Sequence, residues 1–211
     1  MTRPAVLLLS ALALASGVGL PVPDAAAISI LFDCVGRHSD PSSCSVATDQ
    51  VSLELDPLGD SQVRLRVGNV GPEHVVVTKV LLEGSVLDDI AAIGNDLPGV
   101  AFREASPWLL SLWGWFSPTI DPDLGAYAKF PSWHRGVGPE EELTLDLDIA
   151  SGFDFDDVVA ALGDGSLRIG LYAHLECDKE LLVSRPVPEP GTLILAGIGL
   201  AGLLRFGTPR R

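Results

Sequence analysis

The feature that most constrains this chain is an alternation of apolar and polar residues with a period of two. Leu167, Ile169, Leu171, Ala173, Leu175 and Cys177 alternate with Arg168, Gly170, Tyr172, His174 and Glu176. Successive side chains of a strand point to opposite faces, so a segment of this kind buries one face and wets the other, and Cys177 should point inward. The same pattern recurs at Val51, Leu53 and Leu55, at Val63, Leu65 and Val67, and at Leu143, Leu145, Leu147 and Ile149. Turn-forming residues divide the runs: Pro57-Leu58-Gly59-Asp60 follows the first, and Gly68-Asn69-Val70-Gly71-Pro72 follows the second. Apolar runs at 75–82 and 181–183 add further strands, the second after a turn expected at Asp178-Lys179-Glu180. Short strands punctuated by turns predict an all-β fold, an antiparallel β-sandwich with one or two short helices. One helix is expected over 156–162, capped by Asp154 or Asp156 and stopped by Gly163-Asp164-Gly165, and a second over 86–93.

The chain is 47% hydrophobic, but the apolar excess sits at its two ends. Arg3, an apolar stretch over 5–20, the breakers Pro21 and Pro23 and the small residues Ala25-Ala26-Ala27 compose a secretory signal peptide at 1–27. Ala25 and Ala27 supply the small-x-small pattern that signal peptidase reads, so the mature chain should start at Ile28. At the other end, Pro188-Glu189-Pro190 precedes an apolar run over 191–204 and the basic residues Arg205, Arg210 and Arg211. The two prolines fix φ and disfavour helix in the residue before each, so the tripeptide should be extended and accessible. As a helix the following fourteen residues would span roughly 21 Å, against a hydrocarbon core of about 30 Å. That is short for a permanent anchor, and the arginines belong on the cytoplasmic side.

Pro-Glu-Pro, a short apolar helix and an Arg-rich finish, in that order, resemble the PEP-CTERM sorting signal of Gram-negative bacteria. The resemblance covers about a tenth of the chain, 187–211. It implies that the inner membrane holds the protein transiently through 191–204. It further implies that an exosortase, a membrane protease and transpeptidase, cleaves near Pro188-Glu189-Pro190, and that the product goes to the cell surface or an exopolysaccharide matrix. Gly197-Ile198-Gly199-Leu200-Ala201-Gly202 also fits a dinucleotide-binding template, but that fingerprint needs a βαβ unit and a later acidic residue. In an apolar run these glycines serve close helix packing instead.

Between the two ends, residues 28–186 read as one acidic extracytoplasmic domain. Residues 28–187 hold 10 basic and 26 acidic side chains, a net charge of −16. Such a surface repels phosphate backbones, so nucleic acid is not an expected partner. Export makes a disulfide possible. Cys34, Cys44 and Cys177 allow three pairings; Cys34–Cys44 would staple the polar loop 36–43, whereas the others would tie the first strand region to the last.

Three further features bear on function. The segment 97–139 holds all four tryptophans, Trp108, Trp113, Trp115 and Trp133, beside Phe116, Tyr127 and Phe130. Leu109, Leu112, Trp113 and Phe116 share a helical face, which suits a short helix or loop covering one end of the sandwich. The sharper alternative is a platform on which sugars stack, making the domain a carbohydrate-binding module. Acidic pairs at Asp121/Asp123, Asp146/Asp148 and Asp154/Asp156-Asp157 admit calcium, yet exposed acids on a strand are usually just solvated, and no EF-hand loop is present. No other metal and no cofactor is expected. His38, His74, His134 and His174 are scattered, with His174 expected on the surface, and no hydrolase or nucleotide motif appears, so no catalytic residue is assigned.

Overall fold

The computed structural model describes residues 27–35, 41–94, 99–106, 120–175 and 178–186. In chain order the strands are β1 (Ile28–Ser29), β2 (Phe32–Cys34), β3 (Val51–Pro57), β4 (Gln62–Asn69), β5 (Val75–Glu83), β6 (Leu87–Gly94), β7 (Phe102–Glu104), β8 (Leu124–Ala128), β9 (Glu141–Ile149), β10 (Arg168–Leu175) and β11 (Asp178–Ser184). Helix α1 (Pro41–Gln50) lies between β2 and β3, helix α2 (Phe155–Asp164) lies between β9 and β10, and a 3-10 turn occupies Ser132–His134.

These strands form two antiparallel sheets, ordered β1-β3-β4-β9-β6 and β2-β11-β10-β5-β8-β7. One hydrophobic core joins them. Leu53, Leu65 and Leu145 from the five-stranded sheet are buried in the same cluster as Val80, Ile169, Leu171 and Leu182 from the six-stranded one. Alternation explains this directly, because buried and intermediate residues alternate over 51–56 in β3, throughout β4 and over 143–149 in β9. Each such leucine contributes about 1.5–3 kcal/mol of transfer free energy on full burial. The architecture is therefore a β-sandwich with two short helices.

The outward face of the five-stranded sheet is polar and internally paired. Arg64 on β4 holds Asp146 on β9 at 2.7 Å, Gln62 donates to Asp148 at 2.7 Å, and Arg66 reaches Asp56 and Glu54 on β3. Asp146 and Asp148, expected as two solvated acids, thus belong to a cross-strand ladder, a type of pairing worth a few tenths of a kcal/mol per contact.

The central strands of the six-stranded sheet, β5, β10 and the second half of β11, are largely buried on both faces. Leu81, Tyr172, Leu181 and Val183 point away from the main core and form a second cluster with Ala105 and Ile120. This is why 75–82 and 181–183 read as continuous apolar runs rather than alternating ones.

Four local expectations are corrected. Residues 86–93 are strand β6, not helix. Leu87, Ile90 and Ile93 align with Ile149, Leu147 and Leu145, with irregularities between Leu87 and Asp89 and between Ile90 and Ala92. Two bulges each insert a residue, so the apolar period on β6 becomes three and imitates a helix. Part of the expected polar loop at 36–43 is helical, since α1 starts at Pro41, the first helical position that proline favours. The turn expected at Asp178-Lys179-Glu180 is strand, because β11 begins at Asp178, opposite Leu175. His174 is half-buried rather than a surface ornament. The helix expected at 156–162 is α2, closed at its start by a reciprocal Asp154–Asp157 capping box and at its end by Gly165 in the left-handed region.

Candidate functional site

The predicted sorting motif Pro188, Glu189 and Pro190, the basic tail Arg205, Arg210 and Arg211, and the apolar run 191–204 lie outside the described residues, as do Ala25, Cys177, Trp108, Trp113, Trp115 and the expected helical face at 109–116. What the structure does place is the strand that leads into the motif. β11 sits between β10 and β2, so both of its edges are hydrogen-bonded. Leu182, Val183 and Ser184 pair with Cys34, Asp33 and Phe32. Immediately after the strand, the Arg185 amide donates to the Leu31 carbonyl at 2.8 Å and its guanidinium holds Asp33 at 2.6 Å. β2 is itself fixed to α1 by the Cys34–Cys44 disulfide, whose Cα atoms are 5.9 Å apart. Strand β11 is therefore gripped on both sides and backed by a covalent bond. Four residues on from Ser184 comes Pro188, so an extended chain reaches at most about 14 Å from the sheet before the motif begins.

The first and last described residues, Ala27 and Pro186, share one end of the sandwich. Exposed Ala27 precedes β1, whose Ile28 pairs with Leu55, and Ile30 and Leu31 then cross to β2 beside Arg185. Ala27, the described member of the predicted signal-peptidase site, thus borders the corner that holds Arg185.

Trp133, the one described member of the predicted aromatic platform, lies at the opposite end. β10 pairs Arg168 with Glu83 and Leu175 with Val75, and β11 runs back from Asp178 to Ser184. β8 starts at Leu124 opposite Leu82 and finishes at Ala128, so it delivers Lys129 and Phe130 to the end that holds Val75 and Asp178. Seven steps of β10 separate the two ends by roughly 23 Å. Phe130 and Trp133 are 87% and 54% exposed there, with ring centroids 6.2 Å apart and planes at 74°. His134 lies 5.9 Å from the Trp133 ring. The backbone beneath them is well tied: Lys129 N–H donates to Ala101 at 2.8 Å, Ala101 N–H donates to Arg135 at 2.9 Å, and Val77 and Val137 exchange both bonds. Gly136 is required at this turn, since a Cβ would stand 2.4 Å from the Val77 carbonyl oxygen.

A second aromatic cluster occupies the outward face of the six-stranded sheet. Tyr172 meets His174 edge-on at 5.6 Å, and Lys79 stands 5.4 Å from the Tyr172 ring. Burial, followed by the charges of Lys179 and Lys79, pushes His174 down to about 4 from 6.5. Burial and then Lys179 lower Lys79 to about 8, and burial raises Tyr172 to about 12. Cations stacked beside one another on a half-dry sheet disfavour each other's charge. Ala105 and Ile120, the flanks of the tryptophan-rich segment, both pack on this face. Periodicity gave no sign of this cluster, because its members come from β5, β10, β11 and two loops.

No group of three or more His, Cys, Asp or Glu able to hold a metal occurs among the described residues. Asp154 and Asp157 cap α2, and the Asp123 carboxylate accepts from Gly84 N–H. Ser43, His74 and Asp178 line one shallow concavity, but the Ser43 hydroxyl donates to Asp178 at 3.0 Å, and among the described residues no hydrogen bond links His74 to either. Among the described residues, no helix is long and apolar enough to cross a membrane.

A strand hydrogen-bonded on both edges, followed in the sequence within a few residues by Pro188-Glu189-Pro190 and an apolar run, defines a class: a folded domain with a C-terminal tail. The particular tail is identified by sequence, since the family model of the PEP-CTERM protein-sorting motif matches residues 186–211. That match supports exosortase-dependent sorting of an exported protein and membrane anchoring through its C-terminal region. Neither the curated proteins nor the solved structures contain a match to the chain.

Proposed function

We propose that the chain is an exported surface or exopolysaccharide-matrix protein, cleaved by an exosortase at Pro188-Glu189-Pro190, with a non-catalytic structural or adhesive role. The observation that carries this reading is the sorting-motif match starting at Pro186, two residues beyond the end of β11. The disulfide suits an oxidising compartment, and the paired acidic face suits a domain that stays soluble there. Proteolysis at a fixed short distance from a clamped strand removes the tail without requiring the domain to open. Replacing Pro188, Glu189 and Pro190 together by alanine should leave the protein in the inner membrane at precursor size. If the variant matches the wild type in both location and size on a gel, the reading fails.

A second reading, a carbohydrate-binding module, is favoured by one observation: Phe130 and Trp133 present their rings to solvent on a turn whose backbone is fixed. Surface aromatics held in this way offer apolar faces to the C–H sides of sugars.

A further inference from the structure

Resting on that second reading, we infer that the turn carrying Phe130 and Trp133 is a binding site for an acidic polysaccharide, presented at the end of the sandwich opposite the membrane-bound tail. Two observations beyond ring exposure select the ligand. The first is charge. The segment 129–135 carries exposed Lys129 and Arg135 with the aromatic rings between them, on a domain whose net charge over 28–187 is −16. Among the described residues neither cation makes an ion pair, whereas Arg64, Arg66, Arg168 and Arg185 all do. Further along, Glu141 at the start of β9 accepts from the Gly138 amide at 2.7 Å. Unpaired cations beside apolar rings suit a chain of sugars bearing carboxylates: the rings take the C–H faces and Lys129 and Arg135 take the anionic groups.

The second observation is position. Aromatic and basic residues together also suit an anionic lipid surface. Here, however, β8 delivers the turn to the end of the sandwich away from Arg185, where the tail departs. A domain held at the membrane by residues after Arg185 turns this end outward, toward whatever surrounds the cell. The rings meet at 74° rather than lying coplanar, so they form a corner that grips an internal part of a polymer. The site therefore belongs to a flexible extracellular chain rather than to a flat lipid surface or a crystalline glycan.

The test uses the full chain, in non-ionic detergent for immobilised alginate as a polyuronate probe and dextran as a neutral probe, and after detergent removal for vesicles of equal parts phosphatidylglycerol and phosphatidylethanolamine. Wild type should be retained on alginate in a salt-dependent way and should leave dextran unbound, while any vesicle retention, which the C-terminal region 186–211 supplies, should be the same in F130A, W133A and K129Q/R135Q. F130A and W133A should each weaken retention about tenfold, the scale of one lost aromatic contact. K129Q/R135Q should weaken it by a similar factor and flatten the salt dependence. Unchanged circular dichroism of W133A, whose ring is exposed, excludes misfolding as the cause. Equal binding of dextran with K129Q/R135Q unaffected would overturn the acidic specificity while leaving a carbohydrate-binding module standing. Alginate binding untouched by F130A and W133A would place the site elsewhere. Vesicle retention that F130A and W133A weaken, with no retention on alginate, or retention on neither glycan, would overturn the proposal together with the carbohydrate reading.

Discussion

Removal of the Cys34–Cys44 disulfide should destabilise the domain and loosen the strand that leads to the sorting motif. The bond closes a loop with a sequence separation of 10. The chain-entropy relation for a loop of that length, about −2.1 − 1.5R ln 10 cal/mol/K, corresponds to about 2.7 kcal/mol at 25 °C. For a domain of this size that shifts the melting midpoint by about 5–11 °C. β2 contributes only three residues, and its partner on one side is β11. The loss should therefore be concentrated at the exit. A C34A/C44A variant of the full chain, melted by circular dichroism beside wild type with and without reductant, measures the first effect. Hydrogen exchange at Leu182 and Val183 measures the second. Reductant should lower the wild-type midpoint to that of the variant and leave the variant unchanged, and non-reducing peptide mapping should recover Cys177 as a free thiol. A midpoint that moves by less than about 2 °C, against the shift expected from loop closure, or a disulfide that includes Cys177, would refute the reasoning.

The remaining predictions concern pH, packing and capping. His174 is kept neutral in the folded domain down to about 4, whereas the unfolded chain takes up that proton near 6.5. The unfolded state thus binds more protons between these values, so stability is complete above pH 6.5 and falls as pH drops toward 4. A fully buried group would lose about 3 kcal/mol across that window, and partial exposure reduces this to roughly 1–2 kcal/mol. The difference in urea midpoint between wild type and H174Q should accordingly shrink or reverse from pH 7 to pH 4.5; an unchanged difference would contradict the burial of that ring. L145A, at a fully buried position on β9, should cost about 2–5 kcal/mol in urea unfolding, because the surrounding leucines cannot collapse into the space. D154A removes the acceptor for Asp157 N–H and should cost about 0.5–2 kcal/mol, whereas D154N and D154S should recover most of that loss.

The strands that the sequence made legible are those with one dry and one wet face. β4 and β9 show this directly, since Val63, Leu65 and Val67 meet Leu147, Leu145 and Leu143 on the core side while Arg64 meets Asp146 on the other. β6 was hidden because its two bulges convert a two-residue repeat into the spacing of Leu87, Ile90 and Ile93. α1 was hidden for a different reason. Only Ala47 and Gln50 are buried along it, so it carries no apolar stripe, and Pro41 is its one start signal. The outward cluster of Leu81, Tyr172 and Leu181 assembles from distant segments, which no local window can join. The processing signals stood out because they depend on order along the chain rather than on folding: two prolines around an acid, an apolar run and then arginines. For the aromatic turn the sequence supplied the residue types, while the opposition between Trp133 and the Arg185 exit required the strand directions.

The central claim is that this domain is the cargo and its tail is the substrate of another enzyme. Mass spectrometry of the C-terminal peptide from protein recovered at its final location tests that most directly. The account predicts a chain that ends at or near Pro188-Glu189-Pro190 and lacks 191–211. Recovery of an intact C-terminus at Arg211 would contradict it.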